Sequence, residues 1–205
     1  MAPRRPDLHD AYALGTPDDS RRLYADWAPT YDEGFARRRG YRLPEAVAAA
    51  YAARDGAGPV LDLGAGTGLV GQRLAARGIG PVDGTDISPE MLAEARQKDC
   101  YRALIAGDLT TGLGLAPAGY AGLVSAGTFT LGHLGPEVLP SLLPLARPGG
   151  LVAMSVNARH WDATGFAAAL AALDPADLTL DDVPIYDAGE DHAGDRAYIV
   201  TFRVR

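Results

Sequence analysis

A run of glycines framed by aspartates holds the residues of this chain whose types and spacing could do chemistry. Asp62 closes the apolar run Val60-Leu61-Asp62-Leu63, and Gly64, Gly66 and Gly68 follow at alternate positions. Each glycine removes a β-carbon where a tight turn or a ligand must approach the backbone. A helix starting behind such a loop offers unpaired N–H groups and the positive end of its dipole. Asp86 and then Asp108 follow at intervals of about 20 residues, the first ending a further strand-like run and the second just past the next. A carboxylate at Asp86 can accept both hydroxyl protons of a ribose, and one at Asp108 can receive an exocyclic amine such as adenine N6. Singly, each aspartate reads as a loop or capping residue. At successive strand ends they read together as the site of a nucleotide-like cofactor. His133, which closes Ser125-Ala126-Gly127-Thr128-Phe129-Thr130-Leu131-Gly132-His133, is the best-placed candidate for a general base, with packing or capping as its other reading.

The elements that must hold these residues alternate along the chain. Strand-like runs occupy residues 59–63, 81–86, 101–105, 120–126 and 150–156, and helix-like segments fill 69–77, 89–97 and 136–146. Ser88 suits an N-cap with Pro89 in the first turn, and Gly78 suits a helix stop. Short apolar strands alternating with helices predict a parallel sheet covered on both faces. Beyond a helix at 161–173 the rhythm changes. Runs at 178–186 and 197–205, joined by the polar stretch 187–196, predict an antiparallel hairpin at the sheet edge. Upstream, residues 1–18 read as a loose leader, and helical patterns start at Ser20 and near Pro44.

Length and composition bound the answer. The 205 residues suit a single domain, 19–205, with an N-terminal helical lid over about 19–56. Hydrophobic residues make up 47% and charged residues 22%, which is ordinary globular composition. A net charge of −7 gives no general pull toward nucleic acid or anionic membrane. The run Arg37-Arg38-Arg39 reads as a solvated helix face rather than a phosphate clamp. Cys100 is the only cysteine, so no internal disulfide or thiolate metal cage forms, and a reducing cytoplasmic setting fits. No membrane span, no secretory signal and no metal site is expected. Lys98 is the only lysine among many arginines, a bias of GC-rich bacterial genomes.

Two features separate the cofactors that carry adenosine. A pyrophosphate needs a GxGxxG turn, and Gly66, Gly68 and Gly71 would start it too deep after the strand. Asp62 would repel a pyrophosphate but suit an α-ammonium. At this point the stretch from about Leu23 onward resembles the class I S-adenosylmethionine-dependent methyltransferases. Asp62 to Gly68 matches their first motif, Asp86-Ile87-Ser88-Pro89-Glu90-Met91-Leu92 the second-strand motif, and Ala106-Gly107-Asp108-Leu109 the third. Leu145-Ala146-Arg147-Pro148-Gly149-Gly150 is similar to the turn before the fifth strand. Tyr24-Ala25-Asp26-Trp27-Ala28-Pro29-Thr30-Tyr31-Asp32 is similar to a lid segment, nearest to that of the Williams-Beuren-region methyltransferase-like proteins.

The resemblance implies an α/β Rossmann-like class I methyltransferase fold, a seven-stranded mixed sheet of order 3-2-1-4-5-7-6 with helices on both faces. It implies S-adenosyl-L-methionine as cofactor, with Asp62, Gly64, Ala65, Gly66 and Gly68 around its methionine and ribose. Asp86 would hold the ribose hydroxyls, Ile87 and Met91 would flank the adenine, and Gly107, Asp108 and Leu109 would meet its edge. Tyr24 and Tyr31 would close from the lid, with Trp27 beside them, and the segment from Ser125 would face the methyl group. That segment lacks the Asn/Asp-Pro-Pro-aromatic tetrad of base-amine methylation, and the chain has no Pro-Cys pair for attack on cytosine. The expectation is therefore methyl transfer to a small molecule. A protein or tRNA acceptor, a non-catalytic S-adenosylmethionine-binding protein and an NAD-linked enzyme stand as alternatives. The stretch Asp187-Ala188-Gly189-Glu190-Asp191-His192 crowds acids that would favour a cationic or amine-bearing substrate.

Overall fold

The computed structural model describes residues 6–12, 14–187 and 194–205. Seven strands form one sheet: β1 (Val60–Leu63), β2 (Val82–Asp86), β3 (Ala103–Ala106), β4 (Tyr120–Phe129), β5 (Ala146–Asn157), β6 (Ala176–Pro184) and β7 (Arg196–Arg203). Their spatial order is 3-2-1-4-5-7-6. β1 to β5 run parallel, and β7 pairs antiparallel with both β5 and β6. The order and the terminal hairpin are those expected from the sequence.

Eight α-helices accompany the sheet among the described residues: α1 (Leu8–Tyr12), α2 (Pro17–Thr30), α3 (Leu43–Ala53), α4 (Leu69–Ala75), α5 (Pro89–Gln97), α6 (Leu139–Leu142), α7 (Ala158–Thr164) and α8 (Phe166–Leu173). Alternation along the strands sends side chains to two cores. Val60, Val124 and Ala153 face the layer of α3, α4 and α5, while Leu61, Leu123 and Met154 face α6 and α8. A sheet buried on both faces needs apolar residues at nearly every strand position, which is why the strands read as runs. Each such leucine or valine contributes about 1.5–3 kcal/mol on burial.

Two helical segments depart from the expected elements. The stretch 136–146 is a short 3-10 turn, the four-residue α6 and a second 3-10 turn, because Pro140 and Pro144 remove backbone donors. The stretch 161–173 starts earlier, at Ala158, and breaks at Gly165, whose φ is 73°. Asn157 caps that start by accepting from the N–H groups of Arg159 and His160. Within the stretch read as a leader, α1 forms and Ala11 is buried.

The chain reverses its direction of sheet growth at β1, which lies between β2 and β4. In open α/β sheets the crevice beyond the strand ends at such a switch point takes the ligand. The loop after β1 and the end of β2 both open onto that crevice.

Candidate functional site

The loop after β1 turns on left-handed glycines. Gly64, Gly66 and Gly68 have φ of 70°, 55° and 90°, a region costly for any residue with a β-carbon. The three serve different neighbours. A β-carbon on Gly64 would collide with Thr128, whose Oγ1 donates to the Leu63 carbonyl at 3.1 Å. At Gly68, and also at Gly71 and Gly84, it would meet the ring of Tyr101. At Gly66 it would meet nothing within 4 Å. Gly66 is the glycine left open for a ligand.

Tyr101 explains much of what lies beneath the loop. Its hydroxyl accepts from the Gly71 N–H at 3.1 Å and donates to Asp62 Oδ2 at 2.7 Å. Asp62 is fully buried, and its Oδ1 has no hydrogen-bond partner. Burial, opposed by the Tyr101 bond and reinforced by nearby Asp86, pushes its carboxyl up to about 7. Asp86 ends β2 facing the loop. Its Oδ2 accepts from the Gly66 N–H at 2.8 Å and its Oδ1 from the Ser88 N–H at 2.9 Å. Burial raises its pKa against those backbone bonds. Each oxygen keeps a second lone pair, so two vicinal hydroxyls can still be received.

A lid of α2 and the following π-helix, Tyr31–Arg37, covers the loop. Pro29 interrupts the end of α2, and Thr30 leaves helical geometry with φ −123° and ψ 0°. Two polar ties hold the lid down. Near its middle, the Tyr24 hydroxyl lies 2.8 Å from His133 Nε2. The other imidazole nitrogen lies 2.9 Å from the Leu131 carbonyl, so Nδ1 carries the proton and Nε2 accepts from Tyr24. Burial lowers the His133 pKa and keeps the ring neutral. At the lid's end, Asp32 Oδ1 accepts from the Thr67 hydroxyl at 2.5 Å and its Oδ2 from Lys98 Nζ at 2.6 Å. Lys98 also donates to the Thr67 carbonyl at 2.6 Å, so the lone lysine ties lid and glycine loop together.

Between lid and loop lies a cavity of about 350 Å³, within the range of about 300–1,000 Å³ that holds a cofactor-sized ligand. Residues 60–150 match the family described as "Methyltransferase domain". Human methyltransferase-like protein 27 is 31% identical over 152 residues, 71% of this chain, and this chain spans 61% of that relative's length. Residues 60–150 belong to that methyltransferase-domain family, and the sheet order 3-2-1-4-5-7-6 is the one expected of the class I S-adenosylmethionine-dependent methyltransferases. Magnesium protoporphyrin IX methyltransferase from Synechocystis PCC 6803, solved with bound S-adenosylmethionine, superposes with a TM-score of 0.69 at 18% identity. The match covers 93% of this chain and 98% of that one. The [4+2]-cyclase SpnF superposes with a TM-score of 0.70 at 16% identity over 93% and 97% of the two chains, so the fold also serves other chemistry.

Most of the residues expected at the cofactor do line the cavity. Gly64, Ala65 and Gly66 form one wall, and Asp86, Ile87 and Met91 another. Gly107, Asp108 and Leu109 stand at one end, and Tyr24, Tyr31 and His133 at the lid. Asp108 receives the Thr110 N–H and hydroxyl on Oδ1, at 2.8 and 2.7 Å. Three expected residues do not line it. Asp62 is turned to Tyr101, Gly68 makes room for that ring, and Ser125 donates to the Leu63 carbonyl at 2.7 Å. Thr67 and Tyr41, not singled out from the sequence, also line it, as do Gly127 and Thr128 of the segment expected to face the methyl group. Gly127 and Thr128 fall where the β4–β5 register shifts between Ser125 and Phe129, and no composition signal marks that shift. The acidic stretch at 188–192 lies outside the described residues. Among the described residues there is no cluster able to hold a metal ion and no helix long and apolar enough to cross a membrane.

Proposed function

We propose that the protein holds S-adenosylmethionine in this cavity and transfers its methyl group to a small-molecule acceptor. The observation that carries the reading is Gly66. Its left-handed backbone is bonded to Asp86, and open space stands where its β-carbon would be. Asp86 would receive the ribose hydroxyls, Ile87 and Met91 would flank the adenine, and Asp108 would meet its edge. Residues 19–205 would act as one domain in a cytoplasmic setting, with α2 and the π-helix as the lid, while α3, expected in the lid over 19–56, packs on the sheet.

When bound, the cofactor supplies an already activated sulfonium methyl. The protein therefore has to align the acceptor and exclude water, not generate a strong electrophile. The lid aromatics serve exclusion. Tyr24 and His133 supply a path for a proton, because the Tyr24 oxygen faces the cavity while its hydrogen is already directed at the His133 Nε2 lone pair. Calorimetry with S-adenosylhomocysteine tests the reading. Binding by the wild type and loss of at least about tenfold affinity in Asp86→Ala are expected, a deficit of about 1.4 kcal/mol. Unchanged affinity in that variant defeats the assignment. Because a cyclase shares the fold, labelled-methyl transfer into a small-molecule extract is the companion measurement.

A further inference from the structure

The side chains around the cavity speak to the acceptor as well as to the cofactor. Asp86, Asp108 and Glu137 line the main cavity, and among the described residues no lysine or arginine does. A smaller lobe of about 40 Å³ opens behind the lid. Tyr31 and Tyr41 line both volumes and so stand where they join. The walls of the lobe are rings in mutual contact: Trp27 and Tyr31 at 5.2 Å between centroids, Phe35 and Tyr41 at 5.6 Å, Tyr41 and Tyr186 at 5.9 Å. No carboxylate, lysine or arginine lines the lobe among the described residues.

We propose that the acceptor is a compact amine, and not an anionic oxygen such as a carboxylate or a preformed phenolate. The inference rests on the methyl-transfer reading above and narrows it. An anion in the lobe would leave water without finding a cation, and such burial is heavily penalised. Aromatic faces attract a cation within about 6 Å of the ring centroid. Burial raises the pKa of Tyr31, Tyr41 and Tyr186, so these walls carry no phenolate charge of their own.

The charge balance of the reaction points the same way. The amine lone pair forms the new N–CH3 bond while the S–CH3 bond breaks with its electrons to sulfur. A neutral thioether is left and the positive charge moves to nitrogen. A primary or secondary amine then gives its extra proton to the Tyr24 oxygen as the Tyr24 proton moves to His133 Nε2. Rings that face the developing cation favour that state over the neutral amine that precedes it. The three carboxylates on the main cavity also favour an approaching ammonium over a carboxylate.

Three probes of one shape test this by calorimetry on protein saturated with S-adenosylhomocysteine: choline, 3,3-dimethylbutan-1-ol and 3,3-dimethylbutanoate. Choline is expected to bind at least about tenfold tighter than the alcohol, and the butanoate is expected to give no heat. Tyr41→Leu should abolish the preference for choline, and Tyr41→Phe should keep it. Tighter binding of the alcohol or the butanoate overturns the inference, as does equal binding of all three or binding of none. In those cases S-adenosylhomocysteine still binds and the cofactor reading stands. Failure of the wild type to bind S-adenosylhomocysteine overturns the underlying reading and this inference with it.

Discussion

Replacing Asp62 by asparagine separates the two roles a carboxylate can have beneath a cofactor loop. Asp62 is fully buried, is bonded through Oδ2 to Tyr101 at 2.7 Å, and leaves Oδ1 without a partner. Burial raises its pKa from the ordinary 3.8 to about 7. A folded-state pKa above the unfolded one means that the folded protein holds the proton more tightly. The associated stability is complete below pH 3.8 and is lost as pH rises through about 7. At 1.36 kcal/mol per pH unit the full loss is about 4 kcal/mol, and relaxation around the buried charge brings the expected loss to about 2–3 kcal/mol. In Asp62→Asn the side chain would keep an acceptor for Tyr101 and never ionise, while its amide N–H2 replaces the orphaned oxygen at a cost of about 1 kcal/mol. Urea unfolding at pH 5 and pH 8.5 reads the difference. The variant should be slightly less stable than wild type at pH 5 and more stable by about 1–2 kcal/mol at pH 8.5. A stability difference that does not change with pH would refute the argument from burial.

Other outcomes follow from the loop and the lid. Gly71→Ala should destabilise the fold by about 2 kcal/mol or more through collision with Tyr101, whereas Gly66→Ala should cost only about 1 kcal/mol of backbone strain yet abolish S-adenosylhomocysteine binding. Thermal melts and calorimetry together check the contrast, and equal effects in the two variants would contradict the division of labour among the glycines. Lys98→Ala removes the bond from α5's end to Asp32 of the lid and the one to the Thr67 carbonyl of the glycine loop. Stopped-flow displacement should show S-adenosylhomocysteine leaving about tenfold faster, and an unchanged rate would show that the tie does not hold the lid. Tyr24→Phe leaves the His133 Nε2 without its donor and should cost about 1–3 kcal/mol in unfolding free energy, a loss that chemical denaturation would detect.

The parts of the site that were legible in the sequence are those set by neighbouring residues. An apolar run, a glycine turn and a capping Ser88 next to Pro89 are local facts, and β1, the loop and α5 form where those facts place them. The reasons for individual glycines were not legible. Gly68 looks like a ligand-facing position until Tyr101, far along the chain, fills the space beside it and beside Gly71. The same holds for Asp62, which suits an α-ammonium by its place in the motif and meets a tyrosine in the fold. The lid's tie is invisible for the same reason. Asp32, Thr67 and Lys98 belong to three elements, and only the sheet order brings them within one hydrogen-bond length of each other. Helix continuity at 136–146 and 161–173 failed more simply, because Pro140, Pro144 and Gly165 outweigh the apolar spacing around them.

Lys98 also gives the molecule a built-in clock. It is the single lysine side chain, 14% exposed, with its ammonium shared between the lid's Asp32 and the carbonyl of Thr67. An amine-reactive ester can acylate that nitrogen only while both bonds are broken, so the labelling rate counts lid openings, as amide exchange counts openings of the backbone. Mass mapping of one peptide would then follow the lid in solution without a mutation, a crystal or a known acceptor, and a saturating cofactor product should slow the count.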